Sequence, residues 1–175
     1  MSYYSITEQS LEAKERAMAV KIILSDNDGV LTDACVYYSQ NGEELKRYNM
    51  RDGMGFDRLR KLAKLPCGIV TKEKTDFSIR RSEKLSLEFI RVGVEDKVEV
   101  IDQLLEEQGF HWQDLAYIGD DVNDLPVLKK AGFSACPGDA LPSVSEACHI
   151  QTEPFGGCGA FRAFAEFILK SKSLS

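Results

Sequence analysis

The chain has 175 residues, a formal charge of −6 and 43% hydrophobic residues, enough to fill one core of ordinary size without disulfide help, so a single domain over 1–175 is expected. The acidic balance leaves no basic footprint for nucleic acid, and no apolar run approaches membrane-spanning length or forms a leader with a basic flank. The cytoplasm is the expected compartment, with neither nucleic acid nor membrane as partner. Five cysteines, Cys35, Cys67, Cys136, Cys148 and Cys158, are odd in number and lack C-x-x-C spacing, which argues against a disulfide framework or a zinc knuckle.

Within residues 1–19, the stretch from about Thr7 to Met18 is rich in helix formers but poor in apolar positions, and reads as a thin helix or an ordered arm. Next, the apolar run Lys21-Ile22-Ile23-Leu24 breaks into Ser25-Asp26-Asn27-Asp28-Gly29-Val30-Leu31-Thr32-Asp33. It reads as a buried strand of a parallel sheet, and ligands of such sheets bind beyond the carboxyl ends of the strands, where Asp26 and Asp28 fall. The plainer alternative makes Asp28-Gly29 a turn and Asp26 a helix cap. Over 34–48, Val36-Tyr37-Tyr38 and Leu45-Lys46-Arg47-Tyr48 flank Asn41-Gly42, a β-hairpin signal. A lone two-stranded ribbon is marginal in water, so it packs either on its own domain or on a neighbouring subunit.

The pattern continues with a helix near Gly55 to Lys64, a strand at Cys67 to Val70, a helix from about Thr75 to Leu85 and a short strand at Phe89 to Val92. Val98, Ile101, Leu104 and Leu105 recur at helical spacing and stop at Gly109. A second apolar strand, Leu115-Ala116-Tyr117-Ile118, runs into Gly119-Asp120-Asp121-Val122-Asn123-Asp124. A helix through Leu128 and Lys130 to Gly132, a strand at Phe133 to Cys136, a short helix after Pro142 and a terminal helix from about Ala160 to Lys170 complete the chain. Strands and helices alternating in this way predict an α/β fold with a doubly wound, mainly parallel sheet.

Two strands that deliver carboxylates to the same sheet edge build an acidic cleft. Crowded carboxylates repel one another unless a cation neutralises them. The candidate ligands are oxygens, without clustered His or Cys, which favours magnesium over zinc or copper; such a sparse shell usually partners a substrate phosphate.

The segments 26–32, Thr71, Lys97 and 119–124 together resemble, in order and spacing, the four-motif series of the haloacid dehalogenase superfamily of phosphohydrolases. Asn49-Met50-Arg51-Asp52-Gly53-Met54-Gly55 and Gly156-Gly157-Cys158-Gly159-Ala160-Phe161-Arg162 resemble more closely the 3-deoxy-D-manno-octulosonate 8-phosphate phosphatases, a likeness that spans roughly residues 15 to 170. A sister group acting on nine-carbon ulosonic acid 9-phosphates has nearly the same outline. A carboxylate can first form an acyl phosphate that water later breaks, and Asp26, the first acid on its strand, is the expected nucleophile. The resemblance implies that Asp28 protonates the leaving alkoxide and then activates water, and that Asp26, the Asp28 carbonyl and Asp120 hold Mg²⁺, with Asp121 and Asp124 outside them.

Thr71 ends its strand where its hydroxyl can hold a phosphoryl oxygen, though a capping threonine is equally ordinary there. Lys97 follows Asp96 at a helix start, where a cation works against the helix dipole, so stabilising a transferring phosphoryl group explains it better than helix stability does, though a lone lysine is most often simply solvated. An ulosonic acid carries a carboxylate suited to an arginine fork, and Arg81 falls where the resembling family has its binding arginine; a charged helix face with Arg80 and Lys84 explains it as well. Asn49, Arg51, Asp52, Gly53 and Glu73 are the other expected substrate contacts.

The intervals before and after Thr71 have no room for a cap domain. In the resembling family the hairpin assembles a homotetramer and a neighbouring subunit covers the site with its Gly-rich carboxyl-terminal segment, so a homotetramer is expected. Three departures bear on specificity: Asn27 between the acids, which needs hydrogen-bond partners if buried; Lys72-Glu73 after the motif threonine, where Glu73 is nearer the nine-carbon branch; and Cys158 in the terminal glycine loop. Alternatives of other classes are a phosphoacceptor signalling module and a silent structural subunit. The first is disfavoured because the strand before Thr71 ends without an acid, the second because Asp26 and Asp28 are both present.

Overall fold

The computed structural model describes residues 11–174. Its first element is helix α1 (Leu11–Ala19); the part of the expected amino-terminal helix before Leu11 lies outside the described residues. Strands β1 (Ile22–Ser25), β4 (Cys67–Val70), β5 (Phe89–Arg91), β6 (Leu115–Ile118), β7 (Phe133–Cys136) and β8 (Ile150–Gln151) form one sheet in the order β5-β4-β1-β6-β7-β8. All of its pairings are parallel. Successive residues on a strand face opposite sides, so Ile22 and Leu24 of β1 enter one core while Ile23 enters the other. Helices α1, α2 (Met50–Ala63) and α7 (Ala160–Ser171) supply the first layer with Ile23; α4 (Lys97–Gln108) and α5 (Leu125–Lys130) cover the opposite face. Among the described residues no cap domain is inserted, and no helix is long and apolar enough to cross a membrane.

β1 lies between β4, which follows it in the chain, and β6, which comes after the excursion through β5 and α4. Strand order reverses there. The carboxyl ends of β1 and β6 therefore flank the crevice where open α/β sheets bind ligands.

Three elements depart from the sequence expectations. Helix α2 begins at Met50 rather than near Gly55, because Asn49 caps it by accepting the Arg51 N–H at 2.8 Å. Gly55, inside the helix, serves packing: a Cβ on it would lie 3.2 Å from the Phe161 ring and 3.3 Å from Ala165, both on α7. In the hairpin of β2 (Val36–Ser39) and β3 (Gly42–Lys46), Ser39 pairs with Gly42, so the turn residues are Gln40 and Asn41. Gly42, with φ of 110°, opens β3 and takes the left-handed conformation that an Asn-Gly turn would have shared between two residues. The short strand β8 had no alternating pattern to reveal it; it exists because the edge of β7 was open to pairing.

Candidate active site

β1 ends at Ser25, and the next amide, that of Asp26, still donates to the Ile118 carbonyl of β6 at 3.0 Å. That bond carries Asp26 to the strand end beside Gly119. The chain then turns tightly, with the Leu31 and Thr32 amides donating to the Asn27 carbonyl at 2.8 and 3.1 Å. Gly29 takes a φ of 82°, and a Cβ there would be driven into the Asp120 carboxylate. Gly119 is under the same constraint, since a side chain on it would meet Asp124. The two glycines are what let carboxylates from different strands approach one another.

Oxygens of Asp26, Asp120 and Asp124 lie within 4.8 Å of one another. The Lys97 ammonium sits among them, 2.9 Å from Asp26 Oδ1 and 2.7 Å from Asp124 Oδ1. Asp96 caps α4 by accepting the Val98 and Glu99 amides at 2.9 and 3.1 Å, and so fixes the helix start that aims Lys97 inward. Burial works against the ammonium, but Asp26 and Asp124 together outweigh it and hold the Lys97 pKa above its ordinary value. One cation then has to serve two acids. Burial and the neighbouring Asp124 push Asp26 well above the carboxylate range despite Lys97, and burial with Asp124 and Asp121 lifts Asp120 to about 7. These are the pressures a bound divalent cation relieves.

The oxygen donor set fits a hard cation. Asp124 spends both oxygens on protein donors: Lys97 and the Tyr117 hydroxyl, at 2.7 Å, on Oδ1, and the Asp120 amide, at 3.1 Å, on Oδ2. Asp26 and Asp120 are thus the better placed carboxylate ligands. Asp121 is exposed and accepts the Val122 amide at 2.6 Å. The Asp28 carboxylate accepts the Lys46 ammonium on both oxygens at 2.9 Å and the Thr32 hydroxyl at 3.1 Å. The Asp28 carboxylate is thus engaged by protein donors and lies outside the cluster.

Asp26, Asp28, Asp120 and Asp121 line an open cleft of about 360 Å³ together with Thr71, Lys72 and Glu73, while Asp124 is buried beneath it. Thr71 is buried at the end of β4, where its Oγ1 accepts the Glu73 amide at 3.3 Å. Of the expected substrate contacts, Glu73 borders this cleft. Gly53 and Arg81 line a neighbouring hollow between α2 and α3 (Asp76–Leu85), of about 290 Å³. There the Arg81 guanidinium donates to the Asn49 carbonyl at 2.9 Å and lies 5.1 Å from the centre of the Tyr48 ring. Asp52, buried in the first turn of α2, accepts the Arg162 amide at 2.8 Å, and burial lifts its pKa to about 6. Arg51, at the exposed start of α2, donates its amide to Asn49. The larger hollow of about 740 Å³ around Trp112 sits at the opposite end of β6, away from the clustered acids.

Two residues at the cleft went unnoticed in the sequence. Tyr117 is fully buried in β6 with its hydroxyl between Asp124 and, at 3.3 Å, Lys97; a tyrosine in an otherwise aliphatic strand was the available signal, since a buried phenol needs a polar partner. Lys46 offered none, because nothing in a hairpin sequence tells which charged residue turns towards a distant loop. Asn27 is buried as feared: its side-chain carbonyl accepts the Tyr48 hydroxyl at 3.2 Å, while its Nδ2 has no partner.

A haloacid dehalogenase-like hydrolase family profile matches residues 37–155, and the chain belongs to that family: an α/β hydrolase with its acids at the sheet's switch point. Among characterised proteins it is similar to the 3-deoxy-D-manno-octulosonate 8-phosphate phosphatase KdsC of Shigella flexneri, 32% identical over 160 residues that cover 91% of this chain and 85% of that protein. The enzyme of the same name from Yersinia pestis is 33% identical over 89% of this chain and 82% of its own length. The crystal structure of the Moraxella catarrhalis 3-deoxy-D-manno-octulosonate 8-phosphate phosphatase in complex with a magnesium ion, a phosphate ion and a KDO molecule superposes with a TM-score of 0.90 at 29% identity, covering 94% of each chain. A probable YrbI family phosphatase from Pseudomonas syringae pv. phaseolica gives the same TM-score at 37% identity, covering 93% of this chain and 92% of its own. The chain is a phosphoric monoester hydrolase by these relationships.

Proposed function

We propose that the protein is a Mg²⁺-dependent phosphatase that hydrolyses 3-deoxy-D-manno-octulosonate 8-phosphate to the free sugar acid and phosphate. The observation that carries this reading is the convergence of Asp26, Asp120 and Asp124 around Lys97 beside Thr71, in a chain that shares its fold and a third of its residues with phosphatases of that substrate. Asp26 is the nucleophile. Its Oδ1 is held by Lys97 and the Asn27 amide, which leaves the second oxygen to attack phosphorus in line and form the aspartyl phosphate. Lys97 and Thr71 take up charge on the phosphoryl oxygens. Asp28, at the cleft mouth, delivers a proton to the departing alkoxide and then draws one from the water that opens the aspartyl phosphate. Asp26, the Asp28 carbonyl and Asp120 would hold a Mg²⁺, with Asp124 and Asp121 outside them. The ion supplies screening between two negatively charged reactants and orients them.

Asn49, Arg51, Asp52, Gly53 and Arg81 take a supporting role in this proposal, since they join the start of α2 to α3 and to the start of α7. Glu73 contacts the substrate. A glutamate after the motif threonine is nearer the nine-carbon branch, and because Glu73 borders the cleft it supports a second reading, the nine-carbon ulosonic acid 9-phosphates. The whole chain forms one catalytic domain, works in the cytoplasm and assembles as a homotetramer through the hairpin, whose Tyr37, Tyr38 and Leu45 are exposed. Phosphate release from a panel of sugar phosphates with added magnesium tests the assignment. The octulosonate should be turned over fastest; preference for the nine-carbon acid would install the second reading, and equal turnover of hexose phosphates would defeat both.

A further inference from the structure

Resting on the phosphatase reading above, we infer that Lys46 is a positioning residue for the reaction: carried in on the hairpin, it clamps both oxygens of Asp28 at the cleft mouth and keeps that carboxylate out of the metal cluster. The ammonium is 2.9 Å from each oxygen, and Thr32 holds Oδ1 as a third anchor. The Lys46 side chain is 5% exposed and that of Asp28 24%. An aspartate two residues from another in the same turn has ready access to the same cation, and a carboxylate competes for a divalent ion better than a carbonyl does. Nevertheless the oxygens that cluster come from Asp26, Asp120 and Asp124, and the Asp28 carboxylate is not among them. The opposing pull comes from Lys46.

Stability does not account for the pair. Burial works against the ammonium, but Asp28, with Glu43 and Glu73 behind it, outweighs that and holds the Lys46 pKa above its ordinary value. Even so, an ion pair with a partly exposed partner is a weak source of net stability. The hairpin also has other tethers to the same loop, Arg47 to Asp33 at 2.7 Å and Tyr48 to Asn27 at 3.2 Å. What Lys46 adds, beside the Thr32 hydroxyl on Oδ1, is a grip on both oxygens that sets where Asp28 points.

The test compares Lys46→Met and Lys46→Arg with the wild type, loaded with Mg²⁺, on 3-deoxy-D-manno-octulosonate 8-phosphate and on p-nitrophenyl phosphate. Lys46→Met should lose kcat by at least about tenfold while KM stays within about threefold, and Lys46→Arg, which can still grip a carboxylate with two donors, should recover most of the loss. The Mg²⁺ concentration for half-maximal rate should stay level or fall in Lys46→Met, as the released carboxylate turns to the ion. The inference is overturned by a kcat within twofold of wild type, by a rise in KM alone, which would make Lys46 a substrate contact, or by equal losses in the two variants. If Lys46→Met fails to fold, Lys46→Gln takes its place against the same outcomes. A wild type active on p-nitrophenyl phosphate but silent on the sugar acid would sink the substrate assignment and leave Lys46 to be judged on the aryl ester; silence on both would sink the two together.

Discussion

The strand ends of β1 and β6 are written almost alike, each an apolar run closing on acids and a glycine, but they present their acids in opposite ways. At β1 the outer acid, Asp28, is drawn to the mouth by Lys46; at β6 the outer acid, Asp124, is drawn into the interior by Lys97 and Tyr117. Both lysines come from distant elements. A sequence pattern can therefore bring a carboxylate to the end of a strand, and the counter-charge that the fold sets beside it determines whether it faces substrate or the buried cluster.

Breaking the shared element of both ends should have the largest effect. Asp26→Asn removes the nucleophile while keeping its size and its hydrogen bond from the Asn27 amide, so turnover should fall by about a thousandfold or more with the melting temperature nearly unchanged; retained turnover would show that another group attacks phosphorus. Breaking the inner end comes next. Lys97→Met leaves Asp26 and Asp124 facing each other without their cation, which should cost about 3 kcal/mol of stability besides activity. Melting curves of Lys97→Met beside Lys46→Met then read the comparison directly, and equal shifts would refute the distinction between an inner and an outer lysine.

A smaller effect sharpens the account of the cluster. Asp120, lifted to about 7 by burial and by Asp124 and Asp121, is a burden on the metal-free fold. Asp120→Asn should raise the metal-free melting temperature by about 2–4 °C and abolish the further rise that Mg²⁺ gives the wild type. A variant that Mg²⁺ stabilises as strongly as wild type would remove Asp120 from the binding set.

A pH-dependent effect, present only over part of the range, belongs to a buried acid held by backbone amides where Asp28 and Asp124 have lysines. Asp52 has a folded pKa of about 6 against an ordinary 3.8, raised by burial and partly restored by the Arg162 and Gly159 amides. Because the folded value is the higher one, its contribution to stability is whole below about pH 4 and is lost as pH rises through 6, a change of order 3 kcal/mol at most. Asp52→Asn should flatten the melting temperature between pH 4 and 7 relative to wild type. Parallel curves for the two proteins would refute this.

The two acidic strands and the order of strands and helices were legible because each rests on local chemistry: apolar runs of strand length, breakers at their ends, helical spacing in 98–105. Thr71 and Lys97 stood out through the family resemblance, since a strand-end threonine or a lone lysine is ordinary by itself. The start of α2 lies earlier than the expected helix near Gly55, at Met50 behind the Asn49 cap, with Gly53 and Gly55 set inside the helix where Arg81, Leu85 and α7 fill the space a side chain would need. The contact of the Arg81 guanidinium with the Asn49 carbonyl over the Tyr48 ring, 32 residues away in the chain, is one that no spacing rule anticipates.

From the order of its residues alone this chain determined a parallel α/β sheet and the delivery of Asp26, Asp28 and Asp120 to one edge of it, because strand formation and strand ending depend on neighbours along the backbone. Only the tertiary structure decided that Lys97 and Tyr117 take Asp124, that Lys46 takes Asp28 and that Glu73 rather than Arg81 borders the cleft. Those choices pair charges far apart in the chain, and the strength of such pairs depends on distance and burial, which only the packed fold defines.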